Sequence, residues 1–172
     1  MNRLLTYLIL IIVASAAVGC QDDSEEIDVE LCFFDNLELK ECYNINLKID
    51  TNENSVVYEY FDDTENKEYK PTIDRLTNTD SIIACDYLYC SITDYRDYII
   101  DNKSYRVNKY FYDEEFSVDE EYEFFFSDSV GLLISSGGVW GRHTTYSSNK
   151  LSELLIISIK EDSTGFWLLN IY

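Results

Sequence analysis

The chain has 172 residues, of which 46 % are hydrophobic and 15 % aromatic, and its formal net charge is −20 at pH 7. A chain of this length is expected to form one compact domain, which excludes a multidomain enzyme, and fifteen Tyr, nine Phe and two Trp give it more buriable surface than a disordered chain carries. The excess of 33 acidic over 13 basic side chains argues against nucleic acid as a partner, because phosphate binding depends on clustered Lys and Arg.

The N-terminal segment has the organisation of an export signal. Arg3 is the only charged residue before an apolar run that extends from Leu4 to Val18. A charged start, an apolar stretch and a small residue before the cleavage point are typical of a signal peptide. The run is shorter than the ~20 apolar residues that span a bilayer comfortably. The sequence therefore predicts a cleaved signal peptide rather than a permanent membrane helix.

The tetrapeptide Ala17-Val18-Gly19-Cys20 resembles the lipobox of bacterial lipoproteins, with Ala17 where Leu is usual. The resemblance implies that signal peptidase II cleaves before Cys20, that the Cys20 thiol carries diacylglycerol, and that the new N-terminus is acylated. Stable anchoring takes more than one acyl chain. We therefore expect the several chains of a lipoprotein to hold the protein on the membrane without help from the folded domain.

The residues that follow Cys20 predict the location and the domain organisation. The acidic run 21–26 resembles the signal that sends lipoproteins to the cell surface in one large group of Gram-negative bacteria. We expect a protein of the outer membrane that is surface-exposed rather than periplasmic. The predicted organisation is a signal peptide over residues 1–19, a lipidated Cys20 with an acidic tether over residues 20–27, and a single β-rich domain over residues 28–172.

The first strands of the mature chain are predicted from the alternation of apolar and polar residues. Ile45, Leu47 and Ile49 share one face, which is the pattern of a half-buried strand. The polar stretch 51–55 then leads into β-branched and aromatic residues, so that it predicts a hairpin turn. The strands predicted in this part of the chain are 27–34, 44–50 and 56–61.

The second half of the chain contains further short apolar and aromatic segments between polar turns. One of them, residues 151–159, has an alternative interpretation as a helix capped by Ser148 and Asn149, but the β-branched Ile156 and Ile157 favour a strand. The strands predicted in this part of the chain are 81–92, 98–100, 104–112, 121–126, 130–134, 151–159 and 166–172.

The predicted elements define an all-β fold class. Turn signals recur at short intervals and no long helical periodicity follows Val18, which favours an antiparallel meander, sandwich or half-barrel after an N-terminal signal helix. Residues 105–134, with Tyr-Arg-Val and Val-Gly-Leu-Leu-Ile, resemble the later strands of small β-rich outer-membrane lipoproteins. This resemblance supports the fold and implies no activity.

The cysteines are the first candidate site. Once Cys20 is lipidated, Cys32, Cys42, Cys85 and Cys90 remain, and outside the cytoplasm four cysteines allow disulfides in three alternative pairings. If residues 81–92 form one strand, Cys85 and Cys90 lie about 16 Å apart on opposite faces and cannot bond to each other; otherwise a turn separates them. The spacings do not fit a zinc site, and no metal is predicted.

The glycine-rich segment 137–143 is the second candidate site. Its glycines permit a tight loop, which would expose Trp140, Arg142 and His143 as a binding surface. His143 is the single histidine and would be the base of any Ser-His-Asp or Cys-His unit. No nucleophile motif such as Gly-x-Ser-x-Gly accompanies it. The sequence therefore indicates no catalytic residue and no cofactor.

Charge and location together suggest the function. We expect an acidic, membrane-anchored binding or structural module of the cell envelope, whose contacts are the membrane, through the lipid on Cys20, and a basic protein. One alternative is an inhibitor or immunity protein that neutralises a cationic envelope enzyme. A second alternative, from another class, is a small envelope hydrolase. A third is a lipid-handling half-barrel, which requires an apolar concavity in the structure.

Overall fold

A computed structural model describes residues 26–62, 71–76, 79–85, 87–112, 121–137 and 141–167 of the chain. Those residues form ten strands and one helix. In chain order the elements are β1 (Glu26–Asp35), β2 (Glu38–Thr51), β3 (Ser55–Phe61), β4 (Thr72–Leu76), β5 (Ser81–Ala84), β6 (Leu88–Ile100), β7 (Lys103–Tyr112), β8 (Tyr122–Ser127), β9 (Gly131–Gly137), β10 (Arg142–Ser147) and α1 (Lys150–Lys160).

The ten strands form a closed antiparallel barrel. Each strand pairs with its neighbours in the chain, and β1 closes the ring by pairing with β10, where Cys32 lies opposite Thr145 and Asp35 lies opposite Arg142. Closure removes the free strand edges that would otherwise pair with other chains. The complete ring of strand pairs comes from residues 26–147, so this part of the chain contains the whole barrel.

The all-β prediction is confirmed, and the observed arrangement is a meander that closes on itself. Ile45, Leu47 and Ile49 all face the barrel interior, as their alternation predicts. The hairpin between β6 and β7 turns at Asp101 and Asn102, which have φ values of 50° and 61°. Short polar side chains tolerate this left-handed conformation better than other non-glycine residues do.

Two separate apolar clusters stabilise the fold. The first fills much of the barrel interior and includes Leu47, Tyr58 and Phe126, the last with no exposed surface. The second lies on the outer face of the barrel, where Phe125 and Ile134 pack beneath helix α1. Phe125 and Phe126 are adjacent on β8, so the pleat of one strand supplies both clusters.

Helix α1 corrects the strand predicted for residues 151–159. The side-chain oxygen of Asn149 accepts a hydrogen bond from the Ser152 backbone N–H at 3.0 Å, and the Ser152 hydroxyl oxygen accepts one from the Asn149 backbone N–H at 2.9 Å. This reciprocal capping box starts the helix. Leu155, Ile156 and Ile159 lie on its buried face. Their packing against the barrel outweighs the weak preference of isoleucine for strands.

Other element boundaries also differ from the predictions. Residues 81–92 form two strands, because the chain turns at Cys85, where φ is 54°. Strands β4 and β10 were not predicted. Phe166 and Trp167 lie in a bend rather than a strand, and residues 168–172 lie outside the described residues. β1 begins at Glu26, so the end of the predicted tether, residues 26–27, belongs to the barrel.

Candidate ligand-binding cavity

One end of the barrel contains a cavity of about 730 Å³ that opens to solvent. We call this the open end, defined by Phe33 near the end of β1, Tyr122 at the start of β8 and Gly137 at the end of β9. The other half of the interior, which we call the filled end, is occupied by side chains such as Tyr58 and Phe126, whose rings meet edge to face at 4.9 Å. Ligand pockets typically measure about 300–1,000 Å³, so the cavity is large enough for a small organic molecule.

The walls of the cavity are mainly apolar and aromatic. The lining residues come from β1, β2, β6, β8, β9 and β10 and from Pro71 and Cys85, which lie beside β4 and β5, so most of the circumference contributes. The apolar and aromatic residues that line it are Leu31, Phe33, Phe34, Pro71, Leu88, Tyr122, Phe124 and Tyr146.

Two hydroxyl groups of the lining, those of Tyr146 and Ser135, contact each other within these walls. The hydroxyl oxygens of Tyr146 and Ser135 lie 3.2 Å apart, within hydrogen-bonding distance. Tyr146 is 4 % exposed, and its ring lies 5.2 Å from that of Tyr60, which belongs to the interior cluster. Burial raises the pKa of the Tyr146 phenol, so the group stays protonated at neutral pH and keeps its ability to donate a hydrogen bond.

Charged side chains of the lining come from the ends of β1, β2 and β10. They are Asp35, Lys40, Glu41 and Arg142, two of each sign. The Lys40 ammonium forms an ion pair with Glu38 at 2.9 Å. The guanidinium of Arg142 has no ion-pair partner among the described residues, although Asp35 is opposite it on β1. Exposed charges of this kind remain solvated, so the rim contributes little net charge to the interior.

The structure differs from the prediction that Trp140, Arg142 and His143 form an exposed binding surface. Arg142 is exposed at the rim, whereas His143 lies on strand β10 and is only 2 % exposed, so it does not form an exposed contact surface. Trp140 lies outside the described residues. The loop expected over residues 137–143 is shorter, because Gly137 ends β9 and Arg142 begins β10.

His143 contributes to the cavity lining and lies in an aromatic environment. Its ring stacks on Phe34 at 4.6 Å and meets the Trp167 ring edge-on at 5.1 Å, while the Lys160 ammonium lies 3.8 Å from the centre of the Phe34 ring. Neither ring nitrogen has a well-aligned hydrogen-bond partner among the described residues. Burial, and to a smaller extent Lys160, lowers the pKa of His143 to about 4, so the ring is neutral at pH 7.

Lys160 is affected by the same environment. Desolvation lowers the pKa of its ammonium group to about 8. The attraction between an ammonium group and an aromatic face opposes this shift by favouring the charged form. At neutral pH we therefore expect Lys160 to remain mostly charged over the Phe34 ring.

The cysteines divide into one disulfide and two thiols. Cys32 on β1 and Cys42 on β2 are cross-strand neighbours and form a disulfide with a Cα–Cα distance of 4.1 Å. Cys85 and Cys90 remain as thiols that form no disulfide, and a turn separates them. Cys85 lines the cavity, whereas Cys90 is fully buried, and burial raises the pKa of its thiol to about 12. Cys20 lies outside the described residues.

The sulfur atoms of the disulfide also lie close to a carboxylate. Ligand atoms of Glu30, Cys32 and Cys42 all lie within 4.8 Å of one another. Because both sulfurs belong to the disulfide, neither is available as the thiolate that a metal ion requires. This cluster therefore does not form a metal site in the observed state of the protein.

Several cavity residues were not identified from the sequence. Ser135, Thr144 and Tyr146 all point inward, but none of them was predicted to belong to a site. A signal was present on β10, since Thr144 and Tyr146 alternate with His143 and Thr145. This alternation was not interpreted as a strand, because the neighbouring glycines predicted a loop.

Comparisons with protein-family models, with curated proteins and with solved structures gave no match. No helix in the described ranges is long and apolar enough to cross a membrane. The function of the cavity is therefore inferred from its own geometry and chemistry.

Proposed function

We propose that this protein is an envelope lipoprotein whose barrel binds a small, largely apolar molecule at its open end. The observation that carries the proposal is the cavity itself, about 730 Å³ with mainly apolar walls and the hydroxyl pair of Tyr146 and Ser135. Apolar walls supply affinity by burying ligand surface, and a few polar groups fix the orientation of the ligand. The apolar concavity that a lipid-handling barrel requires is thus present.

The position of β1 supports a specific orientation on the membrane. β1 begins at Glu26 at the filled end and runs toward the open end, where Phe33 and Asp35 line the cavity. If Cys20 is acylated, the intervening residues 21–25 extend at most about 20 Å. A ten-residue strand tilted by about 40° spans about 25 Å along a barrel axis. The tether is therefore shorter than the barrel, and the open end faces away from the lipid.

This orientation favours capture of a molecule from the surroundings rather than from the membrane that holds the anchor. Mass spectrometry of the envelope protein tests the anchor, since diacylglycerol on Cys20 is expected, and the Cys20→Ala variant should leave the envelope fraction. An unmodified Cys20, or a Cys20→Ala variant that remains in that fraction, contradicts the location and leaves the cavity unaffected.

Blocking the cavity tests the binding activity. The chain from residue 21 onward keeps the whole barrel and α1, and it is titrated with the neutral dye N-phenylnaphthylamine, whose fluorescence rises in apolar surroundings. Thr144→Trp places a large side chain in the cavity lining and should abolish the increase. Thr93→Trp makes the same change at an exposed position on β6 and should leave it intact.

Cys85 reports whether the dye occupies the cavity. It lines the cavity, whereas the other described cysteines are bonded or fully buried, so a maleimide should react mainly at Cys85. Bound dye should slow this reaction. Dye binding that persists in the Thr144→Trp variant, with the Cys85 reaction unchanged, would contradict the proposal. Circular dichroism shows whether each variant has kept its sheet.

The hydrolase alternative gains no support from the histidine it requires. His143 is 2 % exposed, and neither of its nitrogens contacts a nucleophile among the described residues. General base catalysis requires hydrogen-bond reach between the base and the group it activates. Inhibition of a cationic envelope enzyme stays a prediction from the net charge of −20.

A further inference from the structure

We infer that the cavity selects neutral amphipathic molecules, with an apolar body and one hydroxyl or carbonyl group that hydrogen-bonds to the Tyr146–Ser135 pair. This inference rests on the proposed function, because it specifies the ligand class of the same cavity. It excludes fatty-acid anions and cationic amphiphiles as preferred ligands, although both have apolar bodies of suitable size.

The hydroxyl pair has unused hydrogen-bonding capacity. A hydroxyl group has one donor hydrogen and two acceptor lone pairs. The contact of 3.2 Å between Tyr146 and Ser135 uses one hydrogen and one lone pair. One hydrogen therefore remains to donate to a ligand oxygen, and further lone pairs remain to accept from a ligand hydroxyl. Phe124 and Leu88 border the same cavity and supply apolar surface for the body of the ligand.

Around Tyr146, whose described contacts are with Ser135 and Tyr60, the interior offers nothing that would stabilise a charged group. The inward-facing Arg75 lies toward the filled end, where it is paired with Asp128. The buried polar residues in the described part of the chain are Ser, Asn, Thr and the neutral His143. A carboxylate or ammonium group taken to the depth of Tyr146 would lose its hydration without gaining an opposite charge. A neutral hydroxyl or carbonyl at the same depth loses less hydration and gains a hydrogen bond.

The rim does not reverse this preference. Arg142 is the one rim cation without an ion-pair partner among the described residues, and it is exposed, where a pair with an anion contributes little. Asp35 and Glu41 line the same opening. The net charge of −20 also repels anions at long range. An anion would therefore have to stay at the rim, with the hydroxyl pair left unused.

A matched set of probes tests the inference. Decanol, decanoate and decylamine have the same chain and differ in the head group. The affinity of each compound is measured at neutral pH by its ability to displace N-phenylnaphthylamine from the chain that begins at residue 21. We expect decanol to bind about tenfold more tightly than decanoate or the protonated amine, because only the neutral head group can be buried beside Tyr146.

Removing one hydroxyl identifies the partner of the ligand. Tyr146→Phe keeps the ring and should weaken decanol binding about three- to tenfold, the effect of one neutral hydrogen bond. It should leave decanoate binding unchanged, because that head group stays at the rim. Tyr58→Phe is the matched control, since Tyr58 is a buried tyrosine of the filled end that does not line the cavity, and it should not change either affinity.

The outcomes separate the inference from the proposed function. If decanoate binds more tightly than decanol and Arg142→Gln removes the advantage, the ligand is an anion held at the rim, and the inference is wrong while the cavity remains a binding site. Equal loss of decanol binding in Tyr146→Phe and Tyr58→Phe also overturns it. If the dye itself does not bind, the proposed function is wrong, and the inference about the ligand class is wrong with it.

Discussion

The two ends of the barrel interior are built from the same strands but differ in what their side chains leave between them. At the filled end the rings of Tyr58 and Phe126 meet at 4.9 Å, and the Tyr60 hydroxyl oxygen accepts a hydrogen bond from the Leu132 backbone N–H at 2.8 Å. At the open end the inward residues leave about 730 Å³. Inward-facing apolar residues therefore do not by themselves decide whether a barrel has a core or a cavity.

A glycine helps to explain the dense packing of the filled end. Gly131 has φ +84°, and a Cβ at this position would lie 2.7 Å from the Tyr60 hydroxyl and 3.2 Å from the Tyr58 ring. The absence of a side chain lets both tyrosines cross the interior. At the open end, Ser135 and Thr144 are the inward residues of β9 and β10, and such short side chains cannot cross it. Short residues of β9 therefore occur at both ends, and the filled end differs because Tyr58 and Tyr60 occupy the space beside Gly131.

The difference in packing between the two ends can be tested most directly by a pair of identical substitutions on β8. Phe126 at the filled end has no exposed surface, and Phe124, two residues away on the same inward face, borders the cavity. Phe126→Ala should lower the free energy of unfolding by about 4 kcal/mol, because it creates an enclosed void. Phe124→Ala should cost about 2 kcal/mol, because it enlarges a space that is already open.

Urea denaturation of both variants measures the difference. Phe124→Ala should in addition change the affinity for N-phenylnaphthylamine, since it alters a lining residue, whereas any folded Phe126→Ala protein should bind the dye as the parent does. Equal destabilisation by the two substitutions would show that the two ends are packed alike, and the distinction between a filled and an open end would be lost.

Much of the β-structure could be predicted because its determinants are local. Ile45, Leu47 and Ile49 alternate with polar residues on β2, and Asp101 with Asn102 suits a tight turn. By contrast, the closure of the barrel depends on pairing between β1 and β10, as in Asp35 with Arg142, which are far apart in the chain. The stagger of strands around a barrel is a property of the whole sheet.

The cavity and the helix could not be predicted for a related reason. Tyr146 and Ser135 become a site only because β9 and β10 bring their hydroxyls to 3.2 Å above a filled interior. The isoleucines of α1 favour a strand when considered alone, and the burial of Ile156 and Ile159 in the cluster that contains Phe125 and Ile134 stabilises the helix instead. In both cases a long-range contact determines the outcome, and a single sequence does not reveal which distant residues will meet.

A smaller effect is expected on the outer face beside the open end, where His143 stacks on Phe34 and meets Trp167 edge-on. The folded protein keeps this ring neutral down to about pH 4, because burial lowers its pKa from 6.5. The unfolded chain takes up a proton below about pH 6.5, so between these values the unfolded state binds more protons than the folded state. Stability linked to His143 is therefore complete above pH 6.5 and decreases as the pH falls toward 4.

The His143→Phe variant isolates this contribution, because a phenyl ring can maintain the aromatic stack and does not titrate. Between pH 6.5 and 4.5 the parent should lose about 2 kcal/mol more stability than the variant, a value reduced to allow for solvent screening. The carboxylates and Lys160 are common to both proteins, so the difference between the two stability curves from urea denaturation reports the histidine alone. Parallel stability curves would mean that the imidazole accepts a proton while it stays beside Lys160. The surroundings of His143 would then be more accessible to water than the 2 % exposure of its side chain indicates.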